Sequence, residues 1–279
     1  MELEFFMNKS GLQINMLLIF DIGNTNVKVA VFESGTLVQL WRISSDINRT
    51  GDEYFALINT LFKDYNLDGK RIENAVISAV VPQLISAFVI VTRRFLNKDP
   101  LVIGPDIYHK LPVTIPPSAV HEIGTDLLCN AVQAWETYHQ PSIVVDFGTA
   151  LSFVAVGNKG NILGVAIAPG IGTAFKALFS NTAQLPSVPL EIPSSSLGID
   201  TTMAIQSGIM FGYKGLIESV VNQMKADMYK QASIKPEDII TIATGGLSSV
   251  LTPITNVFDK FDKQHTLNGL LTVAKYALK

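Results

Sequence analysis

The sequence predicts an α/β fold in which one unit of strands and helices occurs twice along the chain. Three observations lead to this prediction. Short apolar segments with the spacing of strands alternate with longer segments of helical spacing. Hydrophobic residues make up 48% of the 279 residues, enough to fill a large core. An Asp-x-Gly turn follows an apolar strand at Asp21 and again at Asp146, almost half a chain length later, which indicates an internal duplication.

The first half opens with three predicted strands and continues with helices and strands in alternation. Strands are predicted at 17–21, 27–32, 37–43, 75–81 and 101–103, and helices at 52–65 and 84–96. Turns with Gly, Asn and Ser separate the first three strands, and Trp41 is expected on the inner face of the third. This order favours a mixed sheet covered by helices.

The second half repeats the opening theme after a proline-rich connector at 111–117. Strands are predicted at 143–146, 151–156, 161–168 and 239–244, and helices at 124–138, 172–179, 203–229 and 267–278. We therefore divide the chain into an extension at 1–15, an N-terminal half at 16–125 and a C-terminal half at 126–279. The two halves are expected to face each other across a cleft.

Composition and charge exclude several classes of protein. The formal net charge is −3 and the basic residues are scattered, so no basic surface for nucleic acid is expected. The longest apolar segment, 75–91, contains Pro82 and several polar residues, which argues against a membrane span. The single cysteine, Cys129, lies in an apolar helical segment and is expected to be buried, and a cytoplasmic protein is the resulting prediction.

The two Asp-x-Gly turns are the candidate phosphate-binding elements. Glycine permits close approach of a ligand to the backbone amides, and short polar side chains add donors for phosphate oxygens. An isolated Asp-x-Gly is more often a simple tight turn, but two copies after matching strands favour phosphate binding. The candidates are Asp21, Gly23, Asn24 and Thr25 in the first turn, and Asp146, Gly148 and Thr149 in the second.

Other candidate residues have two interpretations each. Asp126 is either a capping carboxylate at a helix N-terminus or a general base. Lys28 either reaches a phosphate or lies at a solvated strand edge. The glycine pair Gly245-Gly246 follows an apolar strand and is a weak candidate for adenosine packing. Neither a P-loop nor a complete Gly-x-Gly-x-x-Gly motif is present.

Taken together, these motifs resemble the type III pantothenate kinases, from Leu17 over nearly the whole chain. The similar segments are Asp21-Ile22-Gly23-Asn24-Thr25, Ser78-Ala79-Val80-Val81-Pro82, Asp146-Phe147-Gly148-Thr149-Ala150, Pro169-Gly170, Asn181-Thr182-Ala183-Gln184-Leu185-Pro186, Gln206-Ser207-Gly208 and Thr244-Gly245-Gly246. The family belongs to the actin, hexokinase and acetate-kinase-like superfamily. The resemblance therefore implies a duplicated ribonuclease-H-like (actin/hexokinase-type) fold, with two mixed-sheet halves.

The resemblance also implies an activity and its residues. The expected reaction is transfer of the ATP γ-phosphate to pantothenate, the first step of coenzyme A biosynthesis, with Mg²⁺ and a monovalent cation (K⁺ or NH4⁺) as cofactors. A homodimer is expected. By this resemblance Asp21 to Lys28 bind ATP and Asp21 lies near Mg²⁺, while Asp146 binds the monovalent cation and Thr149 binds phosphate. The residues implied to bind pantothenate are Gly124, Thr125, Asp126, Leu127 and Thr201. Asp126 is also the implied proton acceptor.

Two departures from the family pattern fall in the acceptor site. Leu127 stands where the family has arginine, and Pro117 stands where it has tyrosine. Loss of an arginine–carboxylate contact of about 1.5–3 kcal/mol weakens binding about tenfold to a hundredfold unless another group replaces it. His109, Lys110 and His121 are the candidate replacements. A kinase for a different small hydroxyl compound and a non-catalytic nucleotide-binding relative remain as alternatives.

Overall fold

The computed structural model describes residues 16–180 and 188–279, which form two five-stranded sheets and the helices around them. The predicted extension at 1–15 and the motif at 181–186 lie outside the described residues. No helix in the described part of the chain is long and apolar enough to span a membrane.

The first sheet combines an antiparallel meander with two parallel strands. Its strands are β1 (Met16–Ile22), β2 (Asn26–Glu33), β3 (Thr36–Ser44), β4 (Asn74–Ala79) and β5 (Leu101–Val102), in the order β3-β2-β1-β4-β5. β1 pairs antiparallel with β2 and parallel with β4. The helices of this part are α1 (Gly51–Asp64), α2 (Ile85–Leu96) and the single turn α3 (Pro105–Tyr108).

The second sheet repeats the first. Its strands are β6 (Ser142–Phe147), β7 (Ala150–Val156), β8 (Ile162–Pro169), β9 (Ile240–Thr244) and β10 (Lys260–Phe261), in the order β8-β7-β6-β9-β10. The helices are α4 (Thr125–Tyr138), α5 (Ile171–Ser180), α6 (Thr201–Ala232), α7 (Ser248–Leu251) and α8 (His265–Ala277). β6 pairs antiparallel with β7 and parallel with β9, as β1 does with β2 and β4. The matching strand order confirms the predicted duplication and the ribonuclease-H-like fold.

Local sequence explains how the elements of the first sheet begin and pack. All seven residues of β1 are buried, and all but Asp21 are apolar, as expected for a strand at the centre of the sheet. α1 begins with a capping box, in which Thr50 and Glu53 satisfy each other's backbone N–H groups. The ring of Phe88 on α2 lies 4.9 Å from Phe20 and 4.7 Å from Tyr54, measured between ring centroids, so aromatic rings pack together within this core.

The chain forms two compact units whose boundaries cut through two helices. One unit comprises the described residues up to Leu111, together with Gly124–Asp126 and Leu270–Lys279. The other comprises the described residues of Pro112–Ile123 and Leu127–Gly269. α4 and α8 therefore each contribute residues to both units. The predicted division after residue 125 stays a prediction.

α4 and α8 approach each other closely at Gly269, within the second unit. A Cβ atom at Gly269 would lie 2.2 Å from the backbone oxygen of Cys129, which is itself fully buried as expected. We expect Gly269→Ala to lower the free energy of unfolding by about 1–3 kcal/mol, because the added methyl group forces the two helix backbones apart. Urea denaturation monitored by circular dichroism measures this change.

The matched control for Gly269→Ala is Gly215→Ala on α6. A Cβ atom at Gly215 meets nothing within 4 Å, so alanine there is expected to raise stability by about 0.5–1 kcal/mol through its better helix propensity. Equal effects of the two substitutions would contradict the close approach of α4 and α8.

Candidate functional site

The first candidate turn lies at the end of β1, where Asp21 is paired with a lysine. The Lys28 ammonium donates a hydrogen bond to Asp21 Oδ2 over 2.8 Å, and the two residues are register partners on β1 and β2. Asp21 is nine-tenths buried and Lys28 is about one-third exposed. The structure thus brings together two residues that the sequence analysis treated separately, and Lys28 is not simply a solvated edge residue.

The backbone of this turn is shaped by hydrogen bonds to its own strands and to Ser45. The Gly23 N–H donates to the Asn26 oxygen over 3.1 Å, and the Ser45 hydroxyl donates to the Gly23 oxygen over 2.5 Å. Asn24 and Thr25 are exposed. Their polar side chains therefore lie on an accessible turn beside a mostly buried carboxylate, an arrangement that suits phosphate oxygens.

Asp126 lies in the first turn of α4, and its neighbour Thr125 connects that turn to the first sheet. The hydroxyl oxygens of Thr125 and Ser78 are 2.8 Å apart and buried. Ser78 is in turn the register partner of Asp21 on the adjacent parallel strand. The half-buried Asp126 therefore directly follows a residue that contacts β4 beside Asp21, within one compact unit.

The second candidate turn follows β6 and packs against a second glycine. The Gly148 N–H donates to the Ala150 oxygen over 3.1 Å, and Gly148 and Thr149 are exposed. A Cβ atom at Gly170 would lie 2.3 Å from the Gly148 oxygen. Only glycine fits there, and the Pro169-Gly170 motif therefore supports the second turn directly.

The glycine pair after β9 meets the same turn at Asp146. Asp146 and Thr244 are register partners on the parallel strands β6 and β9. Gly245 has a φ of +92°, and a Cβ atom there would lie 2.5 Å from Asp146 Oδ1. Glycine is thus required for both its left-handed backbone and the close approach of the carboxylate. The motifs at 146–149 and 244–246 form one local site.

The other oxygen of the Asp146 carboxylate is held by two helices. Asp146 Oδ2 accepts hydrogen bonds from Asn130 Nδ2 on α4 and from Thr266 Oγ1 on α8, each over 3.3 Å. Asn130 is 1% exposed and Thr266 is 6% exposed. Neither residue is predicted from the sequence, because their contacts with Asp146 span 16 and 120 positions of the chain.

Two buried oxygen atoms near Asp146 have no hydrogen-bond partner among the described residues. They are Asn130 Oδ1 and Thr244 Oγ1. Leaving such a group unsatisfied costs about 1–3 kcal/mol, so it is expected to find a partner in the working protein. A carboxylate with a hydroxyl oxygen nearby, here that of Thr244, is a donor set that fits a hard cation.

The segment that precedes Thr201 is anchored by the first turns of α6. Gln206 Nε2 donates to the Pro189 oxygen over 2.9 Å, and the Ser207 hydroxyl donates to the Ser196 oxygen over 2.6 Å. Thr201 is exposed at the start of α6, next to the N-cap Asp200, whose carboxylate accepts from the Met203 N–H. The Gln-Ser-Gly motif therefore shapes the segment that leads to Thr201.

Comparison with known proteins decides the family. Residues 17–223 match the family model of type III pantothenate kinase. A type III pantothenate kinase from Moorella thermoacetica is 40% identical over 258 residues, which cover 92% of this chain and 98% of that protein. The chain belongs to the type III pantothenate kinase family. Membership confirms the resemblance inferred from the motifs, and members of this family are phosphotransferases of coenzyme A biosynthesis.

Solved structures of more distant proteins share the fold. A conserved protein of Campylobacter jejuni, assigned to the Baf family of transcriptional activators, superimposes with a TM-score of 0.55 at 19% identity, covering 92% of this chain and 97% of that one. The ethanolamine utilization protein EutJ from Carboxydothermus hydrogenoformans gives a TM-score of 0.50 at 15% identity, covering 93% and 89%. At such low identities these structures support the fold alone.

The two departures from the family pattern have clear positions. Leu127 is buried in α4, one residue after Asp126, and Pro117 starts a 3-10 turn. Of the three candidate replacements for arginine, Lys110 donates its ammonium hydrogen bond to the Ala277 oxygen, over 2.9 Å, while His109 and His121 are exposed. The ammonium group of Lys110 therefore already has a partner at the end of α8.

Proposed function

We propose that this chain transfers the γ-phosphate of ATP to the primary hydroxyl group of pantothenate and so produces 4'-phosphopantothenate. Membership of the family carries this proposal. It is supported by the two Asp-x-Gly turns, which occupy equivalent ends of the two equivalent sheets. Each turn presents glycine backbone and short polar side chains that suit a phosphate group.

In this proposal the first turn and its lysine bind ATP. The accessible Asn24 and Thr25 donate to phosphate oxygens, and Lys28 contributes a positive charge that the Asp21 carboxylate orients. Gly148 and Thr149 bind phosphate from the second turn. Glycine is favoured in both turns because a Cβ atom there would lie close to a backbone oxygen, at 3.0 Å for Gly23 and 3.3 Å for Gly148.

Two cations complete the proposal. Asp21 fits Mg²⁺, which commonly takes one or two protein carboxylates and completes its shell with water and substrate phosphates. Asp146 fits K⁺ or NH4⁺, because the unsatisfied Thr244 Oγ1 lies on the neighbouring strand β9, at the register partner of Asp146. When bound, the cations neutralise negative charge that accumulates on the phosphates during transfer.

Asp126 is the proposed acceptor-side residue. Phosphoryl transfer proceeds through a loose transition state, so positioning of the attacking hydroxyl contributes more than its full deprotonation. Asp126 accepts the hydrogen bond of that hydroxyl and takes its proton as the new P–O bond forms. Gly124, Thr125, Leu127 and Thr201 are the proposed lining of the acceptor site.

A different small hydroxyl compound is the second candidate acceptor, and Leu127 is the observation that favours it. A buried leucine beside Asp126 cannot donate hydrogen bonds to a substrate carboxylate as arginine does. A hydroxyl substrate without that carboxylate loses no binding affinity when leucine replaces arginine at this position. We nevertheless favour pantothenate, because the family match extends over the nucleotide and acceptor motifs alike.

We further propose a cytoplasmic homodimer. β8 is an edge strand, and Val165 and Ile167 on it are 46% and 66% exposed. An exposed apolar edge strand invites pairing, and a second copy of the chain covers it in a symmetric dimer. The buried thiol of Cys129 is compatible with a reducing compartment.

Release of ADP tests the proposed acceptor. The protein is incubated with ATP, MgCl2 and KCl, with pantothenate present or omitted, and with other hydroxy acids and polyols in parallel. We expect ADP release that depends on pantothenate and saturates with it. Release that requires a different hydroxyl compound would support the second candidate, and ATP binding without turnover on any acceptor would contradict a catalytic role.

A further inference from the structure

We infer that Asn130 is a positioning residue for Asp146, acting together with Thr266; this inference rests on the proposed cation role of Asp146. Asn130 does not need to touch a substrate in this account. Its amide nitrogen and the Thr266 hydroxyl hold the same carboxylate oxygen, Asp146 Oδ2, from two different helices. With Oδ2 fixed in this way, the carboxylate plane is fixed as well.

The other oxygen of the Asp146 carboxylate, Oδ1, faces two glycine turns. Asp146 Oδ1 lies beside Gly245 and Gly148, where Cβ atoms would be 2.5 Å and 3.8 Å away. These are the glycines of the second phosphate turn and of the turn after β9. Holding Oδ2 therefore presents Oδ1 toward the turns. A rotation of the carboxylate about χ2 would move Oδ1 away from them and would also break both hydrogen bonds.

The backbone of Asn130 is in turn contacted by a residue of α8. His265 is 1% exposed, and its Nε2 lies 3.1 Å from the backbone oxygen of Asn130. Its Nδ1 lies 3.6 Å from Asp262 Oδ2, and hydrogen bonding to His265 lowers the pKa of the Asp262 carboxyl. The first turn of α8 thus supplies Thr266 and also contacts α4 at Asn130. Groups of this kind orient a metal ligand without touching the metal itself.

The amide orientation of Asn130 follows from its partner. An ionised carboxylate is an acceptor only, so the donor end of the amide faces Asp146 and Oδ1 points away from Oδ2. This leaves Asn130 Oδ1 without a partner among the described residues, which lowers the stability of the fold. An apolar residue at this position of α4 would avoid that loss of stability. The role of Asn130 in orienting Asp146 explains why this position keeps a polar side chain despite the energetic penalty.

The test uses two substitutions of similar size that each remove one donor, Asn130→Leu and Thr266→Val. The first readout is the melting temperature of the protein without substrates, titrated with KCl against NaCl at constant ionic strength. In the wild type we expect a K⁺-specific rise. In each variant we expect the KCl concentration at half of that rise to increase about tenfold, because one hydrogen bond to a charged group is lost.

The second readout separates positioning from general loss of stability. In steady-state kinetics the KCl concentration for half-maximal rate is expected to shift in both variants, while the KM for ATP changes less than twofold. The matched control is Ser142→Ala, which alters a fully buried hydroxyl on the same strand as Asp146 without touching the carboxylate. Its potassium midpoint is expected to stay at the wild-type value.

The outcomes distinguish this inference from the proposal on which it rests. A wild type with no K⁺-specific rise in melting temperature would overturn the cation role of Asp146 and the positioning role with it. A normal wild-type response with unchanged potassium midpoints in both variants would overturn the positioning role alone. If Asn130→Leu fails to fold, Thr266→Val alone decides the question, since it contacts the same oxygen atom.

Discussion

Replacing Asp126 by asparagine is expected to lower kcat for pantothenate phosphorylation by about 10²- to 10⁴-fold, the usual range for removal of a general acid or base. Asparagine keeps the shape of the side chain but cannot take the proton of the acceptor hydroxyl. Binding of ATP is expected to stay within about twofold, because the proposed nucleotide contacts lie on the two turns. Steady-state ADP release and equilibrium nucleotide binding measure the two quantities.

The control for Asp126→Asn is Glu122→Gln, which neutralises an exposed carboxylate four positions earlier. It is expected to leave kcat unchanged. The substitution at Asp126 should lower kcat and kcat/KM by similar factors, as expected for an interaction made in the transition state. A loss confined to KM would instead make Asp126 a binding residue and would contradict its role at the reacting hydroxyl.

Asp146→Ala is expected to remove the dependence of the rate on potassium. The wild-type rate in KCl should exceed the rate in NaCl at the same ionic strength, and this ratio should approach one in the variant. The rate at high KCl should also fall by about tenfold to a hundredfold, since one charge-assisted contact to the proposed cation is lost. Initial rates across a series of chloride salts measure both effects.

A structural explanation of the Asp146→Ala result has to be separated from loss of a cation ligand. The substitution leaves Asn130 and Thr266 without their shared acceptor, so some loss of stability is expected as well. Asp146→Asn keeps an acceptor oxygen for these two donors and removes the charge. The rates are compared at equal concentrations of folded protein, as determined from melting curves. If potassium still activates both Asp146→Asn and Asp146→Ala, the cation role of Asp146 is contradicted.

The sequence predicted the fold because its strands and helices carry strong periodic signals. The matching strands before Asp21 and Asp146 were enough to predict the duplication, and the strand order of the two sheets confirms it. The short elements were missed for a physical reason: α3 and α7 have four residues each and β10 has two, which is about one period of a helix or a strand and too short for a pattern to repeat.

The candidate site was predicted only as far as local sequence reaches. A strand followed by Asp-x-Gly is a local signal, so Asp21 and Asp146 were found. The Ser78–Thr125 contact and the support of Asp146 by Asn130 and Thr266 join distant parts of the chain. No spacing rule within one element points to such pairs, because they depend on which helix packs beside which strand.

The measurement that tests the account most directly is identification of the phosphorylated product. Protein, MgCl2, KCl, pantothenate and ATP labelled at the γ-phosphate are incubated, and the products are separated and identified by mass and phosphorus NMR. We expect one labelled product, pantothenate that carries a phosphate ester on its primary hydroxyl, formed in equal amount to ADP. Label that appears only in inorganic phosphate, or on no acceptor at all, would contradict it.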